Sequence, residues 1–195
     1  IVATSYQAAG GAGRSGIDEL AAQVPVLHED VDLLVSDGEK AARKVTPEVH
    51  ANTLAYNVVP MLGALEENGY TDEEMKLQNE SRKILDLPGL KVSPTCVRVP
   101  VMVGHAIEIR ASFEREVELA AALTALAAFP SLVVEEAPTP LEWAGRDEVA
   151  VGRVRSDLDD PKSINFFVVG DNLRKGAALN TVQIAELAID RGLVG

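Results

Sequence analysis

Cysteine occurs once in the 195 residues, at Cys96. One thiol excludes an internal disulfide framework and fits a reducing compartment, so the cytoplasm is the expected location. Long apolar runs are missing: none approaches the roughly 20 residues of a membrane span. Basic charge is scarce, with 18 Lys and Arg against 30 Asp and Glu, for a net charge of −12. That balance excludes a general nucleic-acid surface, which needs a basic footprint, and leaves room for a local basic pocket that takes a small anion. No Gly-x-Gly-x-x-Gly follows a strand-like run, and no P-loop lysine motif is present. Three scattered histidines and one cysteine do not make a zinc set. Internal repeats and low-complexity tracts are absent.

What is present is the balance of a globular protein with a core: 47% hydrophobic and 25% charged residues, at a length that suits one domain. The chain opens IVATSYQ, a strand-like run with no initiator methionine, which points to a piece of a longer protein. The glycines of AAGGAGRSG mark a turn or a close backbone approach. Apolar spacing predicts a helix over 17–34, kinked or broken at Pro25. Residues 36–53 are polar and read as an exposed excursion. TDEEMKLQNESRKIL is the clearest helix, with Thr71 and Glu74 as a capping box and Arg82 and Lys83 at the C-terminal end. Strands are expected over 91–101, 106–113, 132–135, 149–155 and 164–170. Helices are expected over 117–129 and about 176–190, with Pro-Thr-Pro at 138–140 as a rigid loop.

Few residues carry chemical signals. Cys96, in a β-branched strand, has the setting of a buried inert thiol, although Arg98 two residues on shares its face. Arg98 lies among apolar neighbours and needs a partner. That partner is either a carboxylate or phosphate ligand or an internal acid. His105 follows Gly104 at a turn, where an imidazole serves as a general acid/base or as an ordinary turn residue. His28 and His50 sit in polar surroundings and carry no such signal. On the helix at 71–85, Glu80 adjoins the apolar stripe of Leu77 and Ile84, flanked by Lys76 and Lys83. They form either a solvated ion-pair ladder or an acid and a cation at a pocket edge.

Taken in order, SYQAAGGAG, AYNVVPML, NGYTDEEMK, ESRKIL, TCVRVPV with its Gly-His, PTPLEWAG, VGRVR and GDNLRKGAALNTVQIAEL resemble the C-terminal catalytic and dimerisation domain of the aspartate-β-semialdehyde dehydrogenases. The resemblance spans nearly the whole chain. It implies an α+β fold with a mixed, mainly antiparallel sheet covered by helices, similar to the C-terminal domain of glyceraldehyde-3-phosphate dehydrogenase. It implies NADP-dependent interconversion of aspartyl phosphate and aspartate β-semialdehyde through a cysteine thioester, in lysine, threonine and methionine biosynthesis. It also implies a homodimer with no nucleic-acid or membrane partner.

The resemblance assigns His105 as general acid/base and Arg98 as the grip on the substrate carboxylate. Glu80 takes the substrate ammonium, Lys83 the phosphate, and Gln7 a place beside the reacting carbon. Asn180 and Gln183 fall near the nicotinamide. Cys96 matches a family cysteine that is not the nucleophile. The nucleophilic Asn-Cys and the nucleotide domain are expected before Ile1, and the fragment alone is expected to be inactive. The helix at 176–190 is expected to pack on that other domain. His105 is followed by Ala106 where the family often has serine. Two other readings are a non-catalytic dimerising relative and an N-acetylglutamyl-phosphate reductase-like enzyme, against which a free-amine-binding acid argues.

Overall fold

The computed structural model describes residues 1–194. They form two compact units, Ile1–Met102 and a second that begins at Val103. Both mix strands and helices, six strands in all, with parallel and antiparallel ladders and helices against them.

In the first unit, strand β1 (Val2–Ala8) runs parallel to β2 (Ser93–Val99) in the register Ser5↔Cys96 and Gln7↔Arg98. Alternation buries Ala3, Ser5 and Gln7 of β1 with Pro94 and Cys96 of β2, the period-2 pattern of a covered sheet face. The glycine-rich stretch is more than a turn. A short 3-10 segment (Ala9–Ala12) leads into helix α1 (Gly13–His28), which Gly13 opens at φ +78°, a conformation that favours glycine. Helix α1 runs through Pro25, which gives up its bond to the preceding turn, and ends at His28. Helix α2 (Val31–Ser36) and the short α3 (Gly38–Ala42) follow, capped by the Asp30 and Asp37 carboxylates. Leu20 and Leu27 of α1 pack on Leu54, Ala55 and Val59 to form the local core.

Residues 36–53 are not a wholly exposed excursion. Ala41, His50 and Thr53 are buried, because side chains of α1 bind the backbone of this polar segment.

Helix α4 (Asp72–Ile84) has the expected capping box. Thr71 Oγ1 accepts from the Glu74 N–H at 3.3 Å, and Glu74 Oε2 accepts from the Thr71 N–H at 2.9 Å. Glu74 Oε1 also accepts the Cys96 N–H at 3.0 Å. Farther along, Gln78 Nε2 donates to Val92 O at 3.0 Å and Arg82 Nε to Leu90 O at 2.9 Å. Positions 74, 78 and 82 recur every four residues on one face, so three polar side chains fasten α4 to β2 and its approach.

The second unit holds β3 (His105–Ser112), β4 (Leu132–Val134), β5 (Val149–Ser156) and β6 (Ser163–Gly170). β6 pairs antiparallel with β3 and β5, and β4 pairs parallel with β5. A register shift between Gly152 and Arg155 bends β5. Helix α5 (Leu119–Ala127) lies against β4 and β5. The Pro-Thr-Pro stretch runs into helix α6 (Pro140–Trp143), since Pro140 at the first helical position forfeits no hydrogen bond. Trp143 is buried, with its indole N–H on the Glu135 carboxylate at 3.2 Å. Helix α7 (Leu179–Asp190) follows a π-helical turn and exposes Val182, Ile184 and Leu187. At the other end of β3, Arg110 pairs with Asp157 at 2.7 Å and Asp160 at 3.3 Å. The Arg110 hydrogen bond, then that of Asn165, holds the Asp157 carboxyl well below the usual carboxylate range. No described helix is long and apolar enough to cross a membrane.

The two halves of the capping box are unequal. Thr71→Ala loses one cap and should cost about 1 kcal/mol. Glu74→Ala also strands the Cys96 N–H in a buried strand and should cost about 1–3 kcal/mol more. Urea unfolding of both variants reads the difference; equal losses would mean that the Glu74–Cys96 bond adds nothing.

Candidate active site

The register Gln7↔Arg98 sets two of the predicted site residues side by side at the ends of β1 and β2. Gln7 is buried and donates from Nε2 to Ser5 Oγ at 3.3 Å and to Glu73 Oε1 at 3.2 Å. Arg98 is half-buried and donates from Nη1 to Ala8 O at 2.7 Å. Its own backbone bridges Val59, with the Arg98 N–H on Val59 O at 2.8 Å and the Val59 N–H on Arg98 O at 2.9 Å. Burial lowers the Arg98 pKa and the Glu73 charge partly offsets that; a guanidinium remains cationic regardless. No carboxylate is paired directly with Arg98 among the described residues. It lines a cavity of about 290 Å³ with Ala12, His50, Met61 and Gly63.

Glu73 is the acid that reaches this end of the sheet. Besides Gln7 it holds Lys76, whose Nζ lies 3.1 Å from Glu73 Oε2. That hydrogen bond and charge push the Lys76 pKa up. Glu80 and Lys83, the pair expected from the sequence, are exposed on the same helix stripe. They stand one heptad farther along, about 10 Å at 1.5 Å per residue. Both pairs share the spacing Glu-x-x-Lys, so the sequence pattern fits either. The signal that separates them is the capping box: it puts Glu74 on Cys96, and hence the first turn of α4, not its last, against β2.

Cys96 is 1% exposed. Burial pushes its thiol pKa up, hydrogen bonding with Ser5 and Gln7 counters this, and the neighbouring charges of Glu74 and Glu73 add to the rise. A thiol so placed is not a nucleophile at neutral pH. His50 was passed over in the sequence because its neighbours are polar. It is buried, with Nε2 3.1 Å from Gly16 O, and lines the Arg98 cavity.

In the second unit, His105 opens β3 opposite Gly170. It lines a cavity of about 280 Å³ with Ile107, Val149, Val168, Asp171 and Lys175. Gly104 before it has φ +98°, and a Cβ there would meet Pro140 O at 2.9 Å. Its N–H is held by Asn172 Oδ1 at 2.9 Å. Asp171, buried, accepts from the Leu173, Arg174 and Gly145 N–H groups at 2.7–2.9 Å. The peptide before His105 is thus held by Asn172, a signal hidden in the sequence because Asn172 is 67 residues away from His105. On α7, Asn180 is exposed and Gln183 accepts from Lys175 Nζ. They lie three residues apart, on one helix face.

The family model "Semialdehyde dehydrogenase, dimerisation domain" matches residues 1–175. The chain belongs to that family. It is 48% identical over 189 residues to an aspartate-semialdehyde dehydrogenase of Streptomyces akiyoshiensis, covering 96% of this chain and 56% of that protein. Against the Corynebacterium glutamicum aspartate-semialdehyde dehydrogenase it is 49% identical over 191 residues, covering 95% and 55%. The crystal structure of aspartate semialdehyde dehydrogenase II from Vibrio cholerae, complexed with ASA, aligns at TM-score 0.87 and 38% identity, over 97% of this chain and 54% of that one. The chain therefore spans about half the length of the curated relatives it matches.

Within this semialdehyde dehydrogenase domain the state of Cys96 is directly measurable. A disulfide reagent such as DTNB at pH 8 should leave it unmodified over minutes and titrate one thiol after addition of urea. Prompt reaction in the native protein would show that the strand does not seal it.

Proposed function

We propose that this domain supplies the substrate-binding and proton-transferring residues of an NADP-dependent aspartate-semialdehyde dehydrogenase that works as a homodimer. The reaction interconverts aspartyl phosphate and aspartate β-semialdehyde through a cysteine thioester, in lysine, threonine and methionine biosynthesis. The observation that carries the reading is the Gln7–Glu73–Lys76–Arg98 group at the β1–β2 edge. It offers an acid and two cations for a substrate with an ammonium, a carboxylate and a phosphate.

Arg98 grips the α-carboxylate, since a planar fork with five donors matches two carboxylate oxygens. The ammonium goes to Glu73, and the roles first read onto Glu80 and Lys83 pass to Glu73 and Lys76. Glu73 bonds Gln7 and acts electrostatically on Arg98, whereas Glu80 is an exposed acid farther down α4. Lys76 attracts the phosphate as a point charge. Gln7, held by Ser5 and Glu73, orients the reacting carbon. An N-acylated amine carries no charge, so an acid at Glu73 favours the free amine over an N-acetyl substrate.

His105 is the general acid/base. In the oxidative direction it takes the proton of the attacking thiol, passes one to the adduct oxygen, and takes that proton back as the carbon gives up hydride and the thioester carbonyl forms; in reverse the transfers run the other way. Ile107, Val149, Val168, Asp171 and Lys175 line the same cavity as His105. The carboxamides of Asn180 and Gln183 have the donors and acceptors that fit a nicotinamide carboxamide. When bound, NADP supplies the hydride acceptor.

Steady-state kinetics of the full-length enzyme test the assignments. Glu73→Gln should raise KM for the semialdehyde roughly 10–100-fold, the value of a hydrogen bond to a charged group. Glu80→Gln should leave it unchanged, and the reverse pattern would return the role to Glu80. His105→Asn should lower kcat by roughly 10²–10⁴; near-normal turnover would remove His105 from proton transfer.

A further inference from the structure

Helix α1 carries a carboxylate that has none of the roles above. Glu19 Oε2 accepts the N–H groups of Glu48 at 2.6 Å and Val49 at 2.7 Å, and Oε1 accepts that of His50 at 3.2 Å. One turn on, Gln23 Oε1 accepts the N–H groups of Leu54 at 2.9 Å and Ala55 at 3.1 Å. Gln23 Nε2 donates back to Glu19 Oε1 at 3.4 Å. One turn earlier, Gly16 O meets His50 Nε2 at 3.1 Å. A Cβ at Gly16 would lie 2.6 Å from Ala9 O and 3.1 Å from the His50 ring, so the approach to Ala9 requires glycine and that of His50 would be crowded by any other residue.

Positions 16, 19 and 23 share one face of α1. Together they pin 48–55 by its backbone, which is why so polar a segment is not free. Gln23 is 3% exposed, and its bonded amides would otherwise be buried donors without acceptors. Burial raises the Glu19 pKa, but the bonds from the Glu48, Val49 and His50 amides outweigh it and the net shift is downward. The pinned residues Val49, His50 and Ala51 form the wall of the cavity that Arg98 lines.

We propose that Glu19 is a positioning residue for substrate: by clamping three successive amides it fixes the Val49–Ala51 wall and so the width of the cavity facing Arg98. Its effect on catalysis rests on the reading of Arg98 as the carboxylate grip. Glu19 touches neither substrate nor Arg98, and acts through the wall alone.

The experiment uses the full-length enzyme with Glu19→Gln, which keeps the size of the side chain and removes the charge. Should that variant not fold, Glu19→Asp carries the same measurements, because it withdraws the carboxylate by one methylene. The first readout is the rate at which phenylglyoxal modifies Arg98, followed by mass spectrometry with the exposed Arg14 as internal reference. The second is KM and kcat for aspartate semialdehyde. Expected are several-fold faster labelling of Arg98 relative to Arg14 and a KM raised about tenfold, with kcat changed far less. An unchanged labelling rate overturns the proposal, including when stability alone has fallen. Faster labelling with KM unchanged in both Glu19→Gln and Arg98→Lys leaves the clamp standing and sinks the carboxylate role of Arg98 instead.

Discussion

The parallel pairing of β1 with β2 in the register Gln7↔Arg98 is the constraint from which the rest of the candidate site follows. A slip of one residue would turn each of these side chains to the opposite face. Arg98 would then lose its place beside Gln7, and Cys96 its burial. The register is held from both sides. Glu74 spans from the cap of α4 to the Cys96 N–H, and the backbone of Arg98 bridges Val59. The first bond delivers Glu73 and Lys76 to the end of the sheet. The second draws 54–59 against α1, where Leu54 and Val59 join the core.

Arg98 closes no ion pair among the described residues. Its Nη1 is committed to Ala8 O, and Glu73, the acid that acts on it, bonds Gln7 and Lys76 instead. A guanidinium at the wall of a cavity with its strongest potential partner engaged elsewhere keeps its attraction for an incoming carboxylate. Burial of the fork strengthens that attraction, since charge–charge energy rises as the effective dielectric falls. Cys96, two residues away, takes the opposite role. Its burial suppresses the thiolate, so proximity to a cation does not make it reactive.

Much of the secondary structure was legible because it rests on local signals. The capping box at Thr71 and Glu74, the β-branched runs of β1 and β2, and the break in the helical pattern near Pro25 are all short-range. The glycine-rich stretch signals the close backbone approach that Gly10 and Gly16 make, but not the helical start at Gly13 with its positive φ. The 36–53 segment looks exposed because its side chains are polar, yet its 48–50 amides are bound by Glu19 some 30 residues earlier in the chain. Arg98 and His105 stand out in the sequence by an arginine among apolar neighbours and a histidine at a turn, while Gln7 is named only through family resemblance. Glu-x-x-Lys occurs twice on one stripe of α4, so the pattern alone fits Glu73 and Lys76 as well as Glu80 and Lys83. Only the tertiary anchor of the first turn distinguishes the two copies.

The most direct test of this account is a crystal structure of the whole protein with aspartate β-semialdehyde bound. The substrate carboxylate is predicted to lie about 3 Å from the Arg98 guanidinium in a two-pronged contact, with the ammonium at similar reach of Glu73. A carboxylate held away from Arg98, or an ammonium resting against Glu80, would contradict it.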